Sequence, residues 1–333
     1  MVRSRVVTLA RRPDTVISAD DFAIVEEDLP ALAPDQVRVR NLFMSVDPYM
    51  RLALNERPGF YATKPVGEAM TGGAVGVVEE STADAIPVGT TVTSQNGWRE
   101  AFVADAGAVQ AVPATGAKLS WLVGVLGLTG MTAYAGVEWI LEPSADDTMF
   151  VSGAAGAVGS VAVQLAKRRG CRVVATAGSE AKVAWLKDTL GLDAVANYKT
   201  TDLGDFLAES CPEGLTHYFD NVGGPTLDAA LLNMKPRGKI AICGAISNYN
   251  TENYNAGPAE FFRISERGLI VTGVNVGQWY HRAGEALPAL RTMLASGELV
   301  WEETIVNGLD QAAPAFVSLF SGANKGKMVV RLD

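Results

Sequence analysis

The chain has 333 residues, of which 48% are apolar and 20% charged, and its formal net charge is −9. At about 150 residues per domain, this length predicts two domains. The composition argues against a disordered chain or a coiled coil. The acidic balance, with a pI near 4.9, argues against nucleic-acid and membrane partners, because both need a basic surface.

Two stretches of the sequence bear on where the protein works. The first twelve residues carry charges but no apolar core, so we expect no secretory signal. The uncharged run between Lys118 and Glu138 is long enough to span a membrane. It contains four glycines, which favour a buried segment of a soluble protein instead.

The cysteines and histidines limit the chemistry further. Cys171, Cys211 and Cys243 are widely spaced and odd in number, so we expect free thiols in a reducing cytoplasm rather than a disulfide framework. The chain has two histidines, His217 and His281, and no run with metal-ligand spacing. No metal site is expected.

The first part of the chain, to about residue 118, has the pattern of short strands. Residues 36–40 alternate polar and apolar side chains, and the runs 72–79 and 90–94 are similar. Proline and glycine separate these runs. The pattern predicts an irregular β-barrel.

From about residue 148 the pattern changes to alternating strands and helices. Strands are predicted near 149–151, 172–177, 194–196, 217–220, 239–243 and 269–274, with helices near 157–169, 181–190 and 202–209. Repeated βαβ units predict a parallel, doubly wound sheet. The last apolar run, 327–332, is predicted to return to the first domain. We therefore expect a first domain at 1–120, completed by about 300–333, and a second at 121–299.

The strongest local motif lies between the first predicted strand of the second domain and its helix. Gly153, Gly156 and Gly159 are spaced three apart within residues 151–160. Small residues there let the backbone approach a pyrophosphate, and the N–H groups at the start of a helix face its charge. The pattern predicts a dinucleotide site, and the alternative is a plain glycine- and alanine-rich contact between helix and strand.

The end of the next strand indicates which dinucleotide is bound. An NAD site usually has an acid there that binds the ribose diol. Here Glu180 comes one or two positions late, and Ser179 and Lys182 flank it. A hydroxyl and an ammonium group suit the 2′-phosphate of NADP. The alternative is that Lys182 is a surface lysine and Glu180 takes the acid's role.

Two further turns follow strands at the edge where a ligand of such a sheet binds. They are residues 220–224 and 243–247. The Asn221 amide is a candidate partner of the ribose or nicotinamide, and the backbone of 243–247 is a candidate lining of the nicotinamide site. Cys243 fits a small buried residue better than a nucleophile, and simple loop chemistry is the alternative for both turns.

Several motifs together resemble a known family. The residues concerned include the run DPYMR at 47–51, and the runs 97–100, 126–134, 155–160, 197–199, 218–224, 242–247 and 322–327. In this order they are similar to the zinc-independent medium-chain dehydrogenases/reductases, in the group of prostaglandin/leukotriene reductases and plant double-bond reductases.

This resemblance implies a GroES-like β-barrel domain and a Rossmann domain. It implies NADPH-dependent reduction of the C=C bond of α,β-unsaturated ketones and aldehydes, with a homodimer as the common assembly. The implied cofactor contacts are Gly156, Ala157, Val158 and Gly159 for the pyrophosphate, Lys182 and Tyr198 for the 2′-phosphate, and Asn221, Cys243, Gly244, Ala245, Ile246, Ser247, Tyr249, Val274, Asn275, Val276 and Asn324 for the ribose and nicotinamide.

The chain departs from the family pattern in two places. Many relatives have a tyrosine at the substrate mouth just before the sixth strand, whereas residues 260–267 contain none, and Tyr254 and Tyr280 are the nearest alternatives. Many bacterial relatives follow DPYMR with glycine and arginine, whereas Leu52 follows Arg51 here. We expect a different substrate pocket.

Tyr49 is the predicted catalytic residue. Its neutral phenol suits a hydrogen bond to the carbonyl oxygen of the substrate as negative charge develops there. The alternatives are that Tyr49 only packs over Pro48 and that the cofactor ribose or solvent is the donor. Met131, Tyr249 and Trp279 are predicted pocket walls. Two rival functions remain open, an NADPH:quinone oxidoreductase and an NADPH-binding protein without turnover.

Overall fold

A computed structural model describes residues 2–56, 59, 61–113 and 116–332. Strands β1 to β15 lie at Val2–Leu9, Phe22–Leu29, Gln36–Ser45, Ala74–Ser81, Thr91–Ser94, Ala101–Asp105, Gln110–Ala111, Thr148–Val151, Arg172–Ala177, Ala194–Asn197, Leu215–Asp220, Met234–Ile242, Ile270–Gly273, Glu303–Asn307 and Lys327–Arg331. Helices α1 to α8 lie at Leu128–Tyr134, Ala157–Arg168, Glu180–Ala184, Leu203–Ser210, Gly224–Asn233, Arg263–Glu266, Ala283–Ser296 and Ala312–Ser318.

The chain divides into two compact units. The first comprises Met1–Gly124, Glu303–Asn324 and Met328–Asp333, and the second comprises Val125–Glu302 and Lys325–Lys327.

The first unit is built around the long strand β3. On one edge, β3 pairs antiparallel with β4. It also pairs with β6 along its first half and with β15 at its end, where Val329 lies opposite Ser45. The last strand of the chain therefore belongs to the same sheet as β3. Beside these strands, Trp98 stacks on Phe22 with ring centroids 5.9 Å apart and meets the edge of Phe316 in a buried aromatic cluster.

The second unit is a parallel sheet in the order β10-β9-β8-β11-β12-β13. The chain adds strands outward from β8 in one direction and then outward from β11 in the other. This is the doubly wound topology that the alternation of strands and helices predicts, and the prediction is confirmed. The strand order reverses between β8 and β11, which is where ligands of such sheets bind.

Two details differ from the sequence prediction or sharpen it. The helix predicted at 181–190 is α-helical only to Ala184 and then forms a π-helical turn at Trp185–Thr189, because the Leu190 N–H bonds the Trp185 carbonyl oxygen at 3.3 Å. The uncharged run after Lys118 folds into a 3₁₀ turn, helix α1 and a second π-helical turn. In the part of the chain that the structure describes, no helix is both long and apolar enough to cross a membrane.

Candidate functional site

The loop that leaves β8 is held tightly against the start of α2. Gly156 is the N-cap of α2, and its N–H bonds the Gly153 carbonyl oxygen at 3.0 Å. A Cβ added to Gly159 would lie 2.4 Å from that same oxygen, so a side chain there would displace the loop. Ala157 and Val158 form the first turn, whose N–H groups have no partner within the helix. N–H groups at the start of a helix are donors of the kind that bind a phosphate group.

A buried carboxylate fastens this loop to the end of β11. Asp220 Oδ1 accepts hydrogen bonds from the hydroxyls of Ser152 (3.0 Å) and Tyr218 (2.6 Å), and from the backbone N–H groups of Val222 and Gly223 (both 2.9 Å). The Asp220 side chain is fully buried, and burial raises its pKa. Its contacts fix the ends of β8 and β11 relative to each other.

Asn221 is the next residue in this arrangement. Its Nδ2 donates to the Ser152 carbonyl oxygen at 2.8 Å, and its backbone N–H donates to the Ser152 hydroxyl at 3.0 Å. The predicted nicotinamide-side amide therefore lies directly beside the start of the glycine loop.

The loop after β12 packs against the same strand end. The N–H groups of Cys243 and Gly244 bond the Asp220 carbonyl oxygen at 2.8 and 3.1 Å. Burial raises the pKa of Cys243 to about 12. A thiol with a pKa of about 12 is protonated at neutral pH, which does not suit a nucleophile.

The rest of that loop is closed by side-chain contacts. The Ser247 hydroxyl donates to the Val222 carbonyl oxygen at 2.7 Å, and the Ala245 N–H donates to the Tyr249 phenol oxygen at 3.2 Å. The Ile246 N–H approaches the Asn221 carbonyl oxygen at 3.5 Å. Hydrogen bonds thus join the loop of residues 243–249 to the turn after β11.

The residues predicted to bind the 2′-phosphate lie near the end of β9. Ser179 is the N-cap of α3, and its hydroxyl accepts from the Lys182 N–H. Lys182 is half-buried, and burial together with the nearby charge of Lys199 lowers its pKa. Tyr198 lies against the backbone of Gly178, where an added Cβ would be 2.8 Å from the phenol oxygen. Two ammonium groups and a phenol close to one another fit an anion of high charge.

The remaining predicted cofactor residues lie further along the chain. The Val274 N–H bonds the Ile242 carbonyl oxygen at 2.8 Å. The Asn275 side chain caps the 3₁₀ turn that begins at Val276, by accepting from the Gly277 N–H at 3.1 Å. Asn324 belongs to the first unit.

Two of the predicted pocket walls have packing roles of their own. Met131 is 1% exposed inside α1. Trp279 stacks on Trp139 with ring centroids 5.4 Å apart, and the Arg282 guanidinium lies 4.2 Å from the centre of the Trp139 ring. Among the described residues, neither Met131 nor Trp279 takes part in the hydrogen-bond network of the loops after β8, β11 and β12.

Tyr49 lies in the first unit, in the 3₁₀ turn Pro48–Leu54. The buried Asp47 precedes this turn and accepts a hydrogen bond from the Ser45 hydroxyl. The half-buried Tyr49 ring stacks on Tyr61, with centroids 5.1 Å apart and planes at 25°. The stack fixes the plane of the ring that carries the predicted donor.

Sequence reasoning missed two buried polar groups near these loops. One is the cluster of Ser152, Tyr218 and Asp220, and the other is Asn197 at the end of β10. Asn197, Tyr218 and Asp220 lie in runs that carry the family resemblance, but their contacts with residues distant in the chain are not visible in the sequence.

Family models match a part of each of the two units. Residues 5–112 match the family model of the N-terminal domain of oxidoreductase, and residues 157–291 match the model named zinc-binding dehydrogenase. In the described part of the chain, no group of three or more His, Cys, Asp or Glu side chains could hold a metal ion.

Three similar proteins cover most or nearly all of the chain. The 2-alkenal reductase (NADP⁺-dependent) of Nicotiana tabacum is 39% identical over 90% of this chain and 88% of its own. Prostaglandin reductase 1 of Mus musculus is 38% identical over 99% of this chain and all of its own. The crystal structure of CurA from Vibrio vulnificus in complex with NADPH has a TM-score of 0.94 and 34% identity, with 99% of both chains covered.

The fold, the glycine loop and these similarities define an NADP-dependent oxidoreductase with a GroES-like and a Rossmann domain. More particularly, the chain belongs to the zinc-independent type of the medium-chain dehydrogenase/reductase family, and it is similar to the alkenal, prostaglandin and curcumin reductases. The predicted fold class, family and cofactor are thereby confirmed.

Proposed function

We propose that the protein reduces the C=C bond of α,β-unsaturated ketones and aldehydes with NADPH. The observation that carries the proposal is the glycine loop at the start of α2, which hydrogen bonds of Asp220 join to the loops that follow β11 and β12. The names of the alkenal and prostaglandin reductases that the chain resembles support this substrate class.

In this proposal each group of residues has a separate task. The backbone from Gly156 to Gly159 holds the pyrophosphate, because its N–H groups face the charge. Ser179, Lys182 and Tyr198 hold the 2′-phosphate. Asn221, the loop 243–249, residues 274–276 and Asn324 hold the ribose and nicotinamide.

The chemistry requires little of the protein beyond placement and one hydrogen bond. Bound NADPH supplies a hydride to the β-carbon of the substrate. The Tyr49 phenol donates a hydrogen bond to the substrate oxygen as the enolate forms, which stabilises the developing charge. The same phenol, or water, then provides the proton that the α-carbon takes up.

Isotope transfer tests the reaction directly. NADPH deuterated at the transferred position of C4 should place deuterium on the β-carbon of an enone, and the product should keep its carbonyl group. A parallel panel of quinones tests the rival acceptor, and full activity after metal removal with a chelator tests zinc independence. The proposal is wrong if the protein consumes NADPH with quinones but not with enones. It is also wrong if no enone and no quinone leads to NADPH consumption.

The 2′-phosphate site has its own test. We expect Lys182→Ala to weaken NADPH binding by one to two orders of magnitude, because a charge-assisted hydrogen bond contributes about 1.5–3 kcal/mol. NADH binding should change little. The matched control is Lys187→Ala, an exposed lysine in the π-helical turn that follows α3. Calorimetric titration with each nucleotide measures the difference.

We also propose a cytoplasmic homodimer. Free thiols at Cys171, Cys211 and Cys243 suit a reducing compartment such as the cytoplasm.

The proposed homodimer rests on an exposed edge strand. β13 is the last strand of its sheet, and Ile270 and Val271 on it are 53% and 41% exposed. An exposed apolar edge strand readily pairs with another strand, here that of a second copy. Light scattering should give twice the mass of 35.1 kDa, and Ile270→Lys should reduce it to the monomer.

A further inference from the structure

Glu180 poses a question for a protein that uses NADP. In sites selective for NAD, an acid near the end of the second strand accepts hydrogen bonds from the ribose diol. Glu180 stands three residues after the end of β9, as the first residue of α3. A 2′-phosphate carries about −1.5 to −2 charges at pH 7, so a carboxylate directed at it would repel it.

The structure shows what engages this carboxylate. Asn197 is the last residue of β10, pairs with Ala177 at the end of β9 and is 8% exposed. Its Nδ2 donates to Glu180 Oε1 at 2.7 Å.

The orientation of the Asn197 amide follows from its second hydrogen bond. Asn197 Oδ1 accepts from the Lys199 backbone N–H at 3.1 Å. A flipped amide would set its NH₂ group against that N–H donor and its oxygen against the Glu180 carboxylate. Both contacts would then be repulsive, so only one orientation presents a donor to Glu180.

The backbone of Asn197 is anchored as well. Its carbonyl oxygen accepts from the N–H groups of Thr200 and Thr201 at 3.1 and 3.0 Å. The turn fixed in this way carries Tyr198 and Lys199. The residue that engages the acid therefore also sets the turn that brings a second ammonium group near Lys182.

We propose that Asn197 is a positioning residue for cofactor choice, which holds the Glu180 carboxylate in a hydrogen bond and thereby lets the site accept a 2′-phosphate. Without that bond, Glu180 is released to compete for the ribose hydroxyls and to repel the phosphate. The inference rests on the proposed place of the 2′-phosphate beside Lys182.

The test measures binding without turnover. Calorimetry compares adenosine 2′,5′-bisphosphate with adenosine 5′-monophosphate on the full chain and on three variants, Asn197→Ala, Glu180→Gln and the double variant. We expect Asn197→Ala to weaken the bisphosphate about tenfold and the monophosphate less than twofold. Glu180→Gln should keep or improve bisphosphate binding, and the double variant should return to within twofold of Glu180→Gln.

The rescue by Glu180→Gln separates this role from a structural one. If Asn197 only anchors the turn, the loss persists in the double variant, and the proposal is overturned. It is also overturned if Asn197→Ala weakens both ligands equally or neither. Should Asn197→Ala fail to fold, Asn197→Ser, which keeps an acceptor for the Lys199 N–H, carries the same comparison.

A failure of the underlying site gives a different result. If Lys182→Ala leaves bisphosphate binding unchanged, the 2′-phosphate lies elsewhere, and the proposed placement is wrong whatever the Asn197 variants show. If Lys182→Ala weakens bisphosphate binding and the loss caused by Asn197→Ala persists in the double variant, only the inference about Asn197 is wrong.

Discussion

In the proposed mechanism, the Tyr49 hydroxyl is the hydrogen-bond donor to the substrate oxygen. Tyr49→Phe removes that oxygen and keeps the ring that stacks on Tyr61. Loss of one well-aimed donor to a developing oxyanion costs about 10²–10³ in rate. We expect kcat for enone reduction to fall by that factor while the Kd for NADPH stays the same, as measured by stopped-flow turnover and nucleotide titration.

Tyr61→Phe is the matched control, because it alters the other ring of the same stack. It should retain kcat within about threefold. If both variants turn over normally, the hydrogen-bond donor to the substrate oxygen is the cofactor ribose or solvent. If Tyr61→Phe is slow and Tyr49→Phe is not, the donor is the Tyr61 hydroxyl.

Single residues also mark the limit of the sequence prediction. The sequence identified Asn221 as a candidate because an amide after a strand is a visible signal. It did not identify the task of Asp220, because which of 37 acidic residues becomes buried depends on strands far apart in the chain. The bond between Asn197 and Glu180 was hidden for the same reason, since 17 positions separate the two residues.

At the scale of elements, the junction between β8 and α2 should be the least tolerant of change. Gly159→Ala places a methyl group 2.4 Å from the Gly153 carbonyl oxygen and 2.8 Å from the Ala154 Cα. Both neighbours are backbone, so the loop itself must move. We expect a loss of about 1–3 kcal/mol in the free energy of unfolding and at least a tenfold weaker affinity for NADPH.

Gly284→Ala provides the comparison for the same exchange in a helix. Gly284 lies in the first turn of α7, and nothing stands within 4 Å of its added Cβ. Because alanine favours the helix over glycine by up to about 1 kcal/mol, this variant should be as stable as the parent or more so. Urea unfolding measures the stability of both variants, and NADPH titration measures their affinity for the cofactor. If Gly159→Ala binds NADPH as tightly as the parent protein, the role assigned to the loop is wrong.

Elements were predicted well where they are regular and less well where their hydrogen bonding changes. The strands of the parallel sheet were found because apolar runs separated by glycine leave few alternatives. The change from α- to π-helix at Trp185 was not, since it depends on i→i−5 hydrogen bonds such as the one from the Leu190 N–H to the Trp185 carbonyl oxygen. A π-helical stretch of five residues is too short to show its own periodicity in the sequence.

At the scale of the whole molecule, two long-range features have different origins. The sequence predicted that the last apolar run returns to the first domain, and its pairing with β3 is seen only in the structure. The burial of His217 at the start of β11 was not predicted, because it depends on the segment 141–147 packing over that strand. His217 Nε2 lies 3.1 Å from the Leu141 carbonyl oxygen, and its Nδ1 lies 3.5 Å from Asp147 Oδ1.

This buried histidine should make the stability of the protein depend on pH. Burial lowers the pKa of His217 in the folded chain, although the charge of Asp147 opposes the shift. In the unfolded chain the imidazole has its ordinary pKa of about 6.5. The contribution of His217 is therefore fully present above about pH 6.5 and is lost as the pH falls through its lower folded value, because the unfolded chain takes up a proton first.

Urea unfolding between pH 5 and 8 measures this loss. We expect the free energy of unfolding to decrease below about pH 6.5 by up to about 1.4 kcal/mol per pH unit from this group. His217→Asn should be less stable at pH 8 but should show a shallower slope, by up to one proton. His281→Asn, which alters the exposed histidine, should keep the slope of the parent. If His217→Asn retains the full slope, other groups take up the proton, and the burial of His217 does not govern the acid sensitivity of the fold.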